Sequence, residues 1–413
     1  MTYAAQEQLE HVVLPFWLEH GPDPQRGGFY TCYDNRGRSL VSTDKFTWSQ
    51  GRMVWLLARA AQMARAGLLG LDAGFLEDLA VRGAQFLLDH VIRQDGTCHF
   101  LVDADGAPKA GPAGETTSVY ADCFVVMGLA ELAGATASPY WLDAAEPVLR
   151  RATADITAGR AATPPYAVPA GHTAFGPRMI LLNTRLEHAR ASERLGMLTD
   201  KDVTALSAAR TAMLSHRNPD GTFTEIFCPK AGDTSLPARH RVPGHAIEGI
   251  WVALEAAELT GDHDDTPDLL ESVDVLCHSA WDPHHGGLFR YVDAEGPAAP
   301  RGTTGGSAYE ALVAATWDTK LWWVHTEAAY TTALGARRYG DRACAEWAER
   351  IWDYTIATFP GRGEGEEWIQ IRDRAGRPLD RVVALPVKDP FHIARNLMQL
   401  VELSASTGNR SRG

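Results

Sequence analysis

Gly27-Gly-Phe-Tyr-Thr-Cys-Tyr-Asp-Asn-Arg-Gly37 decides the fold, because the chain keeps returning to it. The same grammar recurs in Asp95-Gly-Thr-Cys-His-Phe-Leu-Val-Asp-Ala-Asp-Gly106, Asp220-Gly-Thr-Phe-Thr-Glu-Ile-Phe227, His285-Gly-Gly-Leu-Phe-Arg-Tyr-Val-Asp-Ala-Glu-Gly296 and Glu367-Trp-Ile-Gln-Ile-Arg-Asp-Arg-Ala-Gly376. Each copy has a turn, a short alternating aromatic or β-branched run, and an Asp/Gly turn, which is a strand and the start of a hairpin. The copies are spaced by roughly 65 residues, with one double gap between the second and third, and a fixed period signals a repeat architecture. The Pro-rich Ala161-Ala-Thr-Pro-Pro-Tyr-Ala-Val-Pro169 fills that gap as a degenerate sixth copy.

Working outward, the stretches between copies carry apolar residues at three- and four-residue spacing, the mark of helices. Twelve are expected, near 4–20, 47–67, 74–93, 117–135, 139–157, 176–195, 200–217, 243–260, 265–279, 318–338, 341–358 and 388–406. Six helix pairs with one hairpin per pair suggest an all-α (α/α)6 barrel with short β-hairpins at one mouth. A linear helical solenoid is the competing reading, but it does not require an elaborated loop at the same point of every repeat. The expected organisation is a single catalytic domain over 1–413, with about the last 8 residues a disordered tail.

Composition narrows the function classes. Lys and Arg number 39 against 52 Asp and Glu, a formal charge of −13. Basic residues are interspersed and not clustered, which argues against nucleic acid as a partner. No run of about 18 apolar residues stands out as a membrane span, and Met1-Thr-Tyr-Ala-Ala-Gln-Glu7 does not read as a secretory signal. The 6 cysteines lack CxxC spacing, so reduced thiols in a cytoplasmic protein are expected. The 12 tryptophans suit both core packing and stacking on the C–H faces of sugar rings.

The hairpin in each pair places the N-terminal turns of the helices starting near 47, 117, 176, 243, 318 and 388 around one mouth. Residues unusual for a core gather there: Trp48, Gln50 and Arg52; Tyr120 and Asp122; Arg178 and Asn183; His245 and Glu248; Trp322, Trp323, His325 and Glu327; His392 and Arg395. Arg241-Val-Pro-Gly-His245-Ala-Ile-Glu248 sets a histidine and a carboxylate three apart on one helix face. Lys388-Asp-Pro-Phe-His392-Ile-Ala-Arg395 repeats the design, with Arg395 either pairing with a carboxylate or capping a surface. A histidine near its usual pKa of about 6.5 both donates and accepts protons at neutral pH. Arg52 donates without losing its charge, and Glu327 is placed to orient a histidine. His325 is equally readable as an interior residue. No HExxH occurs, and His245 with Glu248 lacks further ligands at metal spacing, so no metal is expected.

These stretches resemble the N-acylglucosamine 2-epimerase superfamily, which includes cellobiose 2-epimerases and mannose isomerases. The motifs are Trp48-Ser-Gln-Gly-Arg52, Gly244-His245-Ala-Ile-Glu248, Lys320-Leu-Trp-Trp-Val-His-Thr-Glu327 and Phe391-His392-Ile-Ala-Arg395. The resemblance runs from Phe16 to about Leu400 and implies an (α/α)6 barrel performing cofactor-independent proton transfer. It implies Arg52, His245, Glu248, Glu327 and His392 as the catalytic set. Trp48, Gln50, Tyr120, Asn183, Trp322, Trp323 and Trp368 are the expected substrate-binding residues. Pro177-Arg-Met-Ile-Leu-Leu-Asn183 is similar to the N-acylglucosamine type and lacks the Asn-x-His-x-His of cellobiose epimerases. Gly171-His-Thr-Ala-Phe-Gly176 lacks the lysine of a phosphate-cradling loop, so no ATP requirement is expected.

The expected activity is C2 proton transfer on a free aldose through an enediolate, as a 2-epimerase of the N-acylglucosamine/N-acylmannosamine or glucose/mannose type. Transfer to C1 instead gives an aldose–ketose isomerase, and the residues do not separate the two outcomes. A glycoside hydrolase using Glu248 and Glu327 and a non-catalytic sugar-binding protein are the rival readings. The expected partner is a monosaccharide, with neither nucleic acid nor membrane, and the protein a monomer or homodimer.

Overall fold

A computed structural model describes residues 1–410 except 112, 113, 231, 364 and 382–384. Its helices fall into two classes by their surroundings. Helices α3 (Thr47–Arg65), α5 (Val119–Thr136), α7 (Phe175–Arg194), α10 (Pro243–Thr260), α13 (Trp322–Tyr339) and α15 (Phe391–Arg410) form the inner wall. Those from α3 to α13 are buried almost all round. The outer wall is amphipathic: α1 (Thr2–Gln8), a π turn (Leu9–Val13) and α2 (Leu14–His20), then α4 (Ala73–His90), α6 (Tyr140–Thr157), α8 (Asp200–Leu214), α11 (Thr266–Ala280) and α14 (Arg342–Thr358). Each outer helix shows one apolar stripe to the inner ring. The six alternating pairs among the described residues are the expected (α/α)6 barrel. Along α5 mean hydropathy reaches 1.4, enough by composition to cross a membrane, but 78% of that stretch is buried inside the barrel wall.

The two classes begin differently. Three outer helices have side-chain caps, from Asp72, Asp341 and the reciprocal Thr199/Asp202 pair, which satisfy first-turn N–H groups. Helices α3, α5, α7, α10 and α13 have none. Instead, in four of the five, the entering N–H donates to the next repeated segment: Thr47 to Phe100 O at 3.2 Å, Val119 to Ala162 O at 2.9 Å, Phe175 to Glu225 O at 2.8 Å and Trp322 to Gln370 O at 3.0 Å, while α10 enters through Pro243, which has no N–H to satisfy. The repeated segments therefore act as a collar around the mouth. Strand pairs extend it, joining Lys45–Phe46 with Leu101–Val102, Thr173–Ala174 with Ile226–Phe227, His240–Arg241 with Val292–Asp293, and Lys320–Leu321 with Ile371–Arg372. The degenerate copy at 161–169 forms no strand and keeps only the Ala162 acceptor.

The collar closes on itself. Lys388 N donates to Thr31 O at 2.8 Å. Asn35 uses its whole amide, donating to Ile371 O and Leu379 O and accepting from Gln370 N and Ile371 N, all between 2.8 and 3.1 Å. At the opposite end, where the inner helices finish, Arg59 bridges Glu131 and Glu402 while Arg194 also binds Glu131; Arg190 and Arg338 share Glu255. Arginine is suited to the negative ends of helix dipoles.

Among the boundaries that differ from expectation, three are at the last two inner helices. The fifth inner helix starts at 322 and not near 318, because Lys320 is drawn into a strand with its ammonium on Gly287 O at 3.2 Å. The sixth starts at 391 and not 388, because Lys388 is held by Thr31 and Glu367. It then runs to Arg410, into the expected tail; 411–413 lie outside the described residues. A short helix, α9 (Leu236–Arg239), and a second, α12 (Ala308–Thr316, started by a Ser307/Glu310 capping box), were not expected.

Candidate active site

Close backbone contact puts the first residues in place. A side chain on Gly51 would lie 2.4 Å from Phe124 O, and one on Gly128 2.5 Å from Gly51 O, so α3 and α5 touch main chain to main chain. This brings the Trp48 ring edge-on to Tyr120 at 6.0 Å and the Arg52 guanidinium over Phe124 at 4.0 Å. Phe391 lies on it too, at 5.0 Å.

His392 stands in the first turn of α15. Its Nδ1 is 2.6 Å from Glu327 Oε1, whose other oxygen accepts from the Trp251 indole at 2.8 Å. Arg395 Nη2 donates to Glu327 Oε1 and to Glu248 Oε1, both at 2.6 Å. On the far side Arg52 Nη2 is 3.2 Å from His392 Nε2, and Arg52 Nη1 donates to Asp389 at 2.9 Å. A guanidinium only donates. His392 Nε2 therefore presents a lone pair, and the ring proton sits on Nδ1 facing Glu327.

His245 stands in the first turn of α10 with Nδ1 3.2 Å from both oxygens of Glu225. Glu225 comes from the third hairpin copy, where its carbonyl already receives the Phe175 N–H. Burial works against the charged imidazole, but the Glu225 carboxylate outweighs it and holds His245 above the ordinary histidine value. Burial likewise raises Glu225, and His245 overcomes it to leave that carboxyl below its usual range. Burial opposes ionisation of Glu327 most of all, yet Arg395 and His392 hold it well below the carboxylate range.

Between the imidazoles lies Trp323, with ring centroids 5.2 Å from His245 and 5.9 Å from His392. Gly244 makes room, since a side chain there would meet the indole at 2.6 Å. The cavity above has a volume of about 520 Å³, lined by Trp48, Arg52, Tyr120, His245, Glu248, Trp322, Trp323 and His392 among the expected residues. The indole N–H groups of Trp48 and Trp322 are buried and find no acceptor among the described residues.

Other expected residues lie elsewhere. Gln50 is fully buried and clasps the first hairpin, its Oε1 accepting from Phe29 N at 2.7 Å and its amide donating to Phe29 O at 2.8 Å. His325 has the same job in the fifth repeat, accepting from Leu288 N at 2.9 Å. Trp368 is fully buried, stacked on Phe359 and donating to Gln8 at 2.9 Å. Asn183 is buried in α7, off the cavity, whose wall there is Met179 and Ile180. Arg178 turns outward to Ala212 O and Ser215. Glu327 stands behind His392, fully buried, and does not line the cavity. Glu225, Asp389, Arg290, Tyr291 and Tyr309 line it without having been singled out. All but Tyr309 sit inside quoted motifs, at Asp220–Phe227, His285–Gly296 and Lys388–Arg395, but nothing in the spacing of Glu225 and Asp389 distinguished them from surface carboxylates.

Ligand atoms of Glu248, Glu327 and His392 lie within 4.8 Å of one another, as metal ligands would. The guanidinium of Arg395 already binds both carboxylates, so the positive charge this set calls for is supplied by the chain. Glu248 and Glu327 share that one arginine, and only Glu248 reaches the cavity. This is not the arrangement of two carboxylates flanking a glycosidic bond.

The model of the N-acylglucosamine 2-epimerase family matches residues 28–395. N-acylglucosamine 2-epimerase of Rattus norvegicus is 28% identical over 406 residues, covering 93% of this chain and 87% of the relative. The structure of cellobiose 2-epimerase from Bacillus thermoamylovorans superposes with a TM-score of 0.76 at 19% identity, over 97% of this chain and 98% of that one. A D-mannose isomerase structure gives 0.73 at 14% identity, over 97% and 98%. With a family match over most of its length and a barrel of the same shape, the chain belongs to the N-acylglucosamine 2-epimerase family.

Proposed function

We propose that the protein moves a proton at C2 of a free, ring-opened monosaccharide, as a 2-epimerase of the N-acylglucosamine/N-acylmannosamine or glucose/mannose type. One observation carries the reading: two first-turn histidines face one cavity, each with Nδ1 held by its own carboxylate. His392, with a lone pair on Nε2, removes the C2 proton. Arg52 and the first-turn N–H groups of the inner helices stabilise the negative charge that develops on the enediolate oxygens. His245, held toward its charged form by Glu225, returns a proton to the opposite face, and the roles exchange in the reverse direction. Glu248 accepts a sugar hydroxyl, and Trp48 and Trp322 donate to others.

Delivery of the second proton to C1 gives aldose–ketose isomerisation. The likeness to a D-mannose isomerase structure favours keeping this as the second reading. Incubation with N-acetylmannosamine, N-acetylglucosamine, mannose, glucose and fructose in deuterated water, followed by proton NMR, tests both. Deuterium at C2 with an epimeric product supports epimerisation, and an aldose converted to a ketose supports the second reading. Absence of exchange in every sugar would overturn the proposal.

A further inference from the structure

Five inner helices start without a side-chain cap; α15 does not share that economy. Asp389 Oδ1 accepts from Phe391 N at 2.8 Å, while Oδ2 takes Arg52 Nη1 at 2.9 Å and Ser49 Oγ at 3.4 Å. Its main chain is pinned as well, Gln370 donating to Asp389 O at 3.0 Å and accepting from Asp389 N at 3.3 Å. The Asp389 side chain is 3% exposed, and the residue lines the cavity. The group this carboxylate holds is the arginine on His392.

That arginine has two tasks that compete. Its Nη2 lies 3.2 Å from the lone pair of His392 Nε2, the position from which His392 takes a proton. The same donor is needed on the sugar oxygen as charge develops. An arginine stem has about 2 kcal/mol of rotamer entropy, so an untethered guanidinium would scatter between the two positions. Phe124 and Phe391 lie against it at 4.0 and 5.0 Å, limiting its excursions while Nη1 remains on Asp389.

We infer that Asp389 is a positioning residue that anchors Arg52 through Nη1, so that Nη2 exchanges His392 Nε2 for the sugar oxygen without the guanidinium leaving the site. This rests on the proton-transfer reading above. Misplacing a catalytic group by about 1 Å costs roughly 100-fold in rate, and a loss of that order is expected.

Two variants separate this role from simple capping. Asp389→Ser keeps a residue type suited to capping but is too short to reach Arg52; Asp389→Asn keeps the shape without the charge. With the panel sugar that the wild type exchanges, Asp389→Ser should lose roughly 100-fold in the C2 exchange rate at saturation, with KM changed much less. Asp389→Asn should lose less than the serine variant. In an Arg52→Lys background neither change should lower the remaining rate further, because the residue acts through Arg52. Wild-type rates in Asp389→Ser, or equal losses with and without Arg52, would overturn the inference. A readout independent of any sugar is the ¹⁵N spectrum of the arginine side chains, with Arg52 assigned by its loss in Arg52→Lys. A rigid, slowly exchanging Arg52 signal should be present in the wild type and averaged in Asp389→Ser. An unchanged signal in the serine variant overturns the anchor even if no sugar is turned over, whereas absent turnover alone overturns only the proposed function.

Discussion

His245 and His392 occupy equivalent places, each two residues after a proline (Pro243 and Pro390) in the first turn of an inner helix, yet they are supported in opposite ways. The carboxylate behind His245 comes from a mouth hairpin, and the imidazole is a third exposed at 33%. Glu225 has no arginine against it among the ion pairs of the described residues, so its charge is spent on the imidazole. Behind His392, Glu327 comes from a neighbouring inner helix, and its charge is divided among His392, Arg395 and Trp251. A second cation, Arg52, faces the other nitrogen. Glu225 thus holds His245 toward its charged form, whereas His392 is gripped on both ring nitrogens, by Glu327 on one side and Arg52 on the other.

The comparison breaks most severely if either imidazole is removed. His392→Asn and His245→Asn should each lower C2 deuterium exchange by roughly 10³-fold or more, toward the upper end of general acid–base contributions, read by NMR. Full exchange in both variants sinks the assignment.

Next in size is the stability difference between the two supports. Glu327→Gln leaves Arg395 buried beside a neutral amide, and breaking such a buried pair costs about 3–5 kcal/mol. Glu225→Gln, at the mouth, should cost far less. Urea unfolding of the two variants side by side measures the gap, and equal losses would contradict the distinction drawn here.

Glu225→Gln should show itself in the pH dependence instead. His245 is raised, so its pairing contributes fully below the unfolded value of about 6.5 and is lost as pH rises through the folded value. Glu225 is lowered, so its contribution is present above the unfolded value of about 4.3 and is lost as pH falls through the folded value. The variant should therefore be most destabilised between those limits and approach the wild type at alkaline pH. The limb of the exchange profile that reports loss of the His245 proton should move to lower pH. A limb that stays in place would show that Glu225 does not tune His245.

The smallest catalytic effect is expected away from both histidines. Gln50→Ala should cost about 1–3 kcal/mol of stability through unsatisfied hairpin groups, measured by denaturant unfolding. Its KM should remain within about twofold, as for other changes that leave substrate contacts alone.

Gln50, expected to bind substrate, and His325, left open as an interior residue, show where reading from sequence stops. Gln50 and His325 both lie five residues after a buried lysine, Lys45 or Lys320, and both tie a Gly-Gly turn to the helix start. A polar residue in the first turn looks the same whether it faces the cavity or the hairpin behind it, because the two directions differ only by rotation around the helix. Trp368 was expected to bind substrate, but the segment leading into the Ile371–Arg372 strand carries it inward onto Phe359. The carboxylates that were passed over show the converse. Glu225 and His245 are 20 residues apart, Asp389 and Arg52 are 337 apart, and only the packed barrel makes each pair neighbours.

By itself the sequence determined the repeat, the alternation of inner and outer helices, and the two histidines at helix starts. All of these follow from local periodicity and from turn and cap chemistry that act within a few residues. The tertiary structure alone decided which carboxylate stands behind each histidine, and that Arg52 lies between His392 and Asp389. Proton affinity and orientation are set by groups a few ångströms away in space, and closing the collar through Asn35 and Lys388 is what brings the two ends of the chain within that distance.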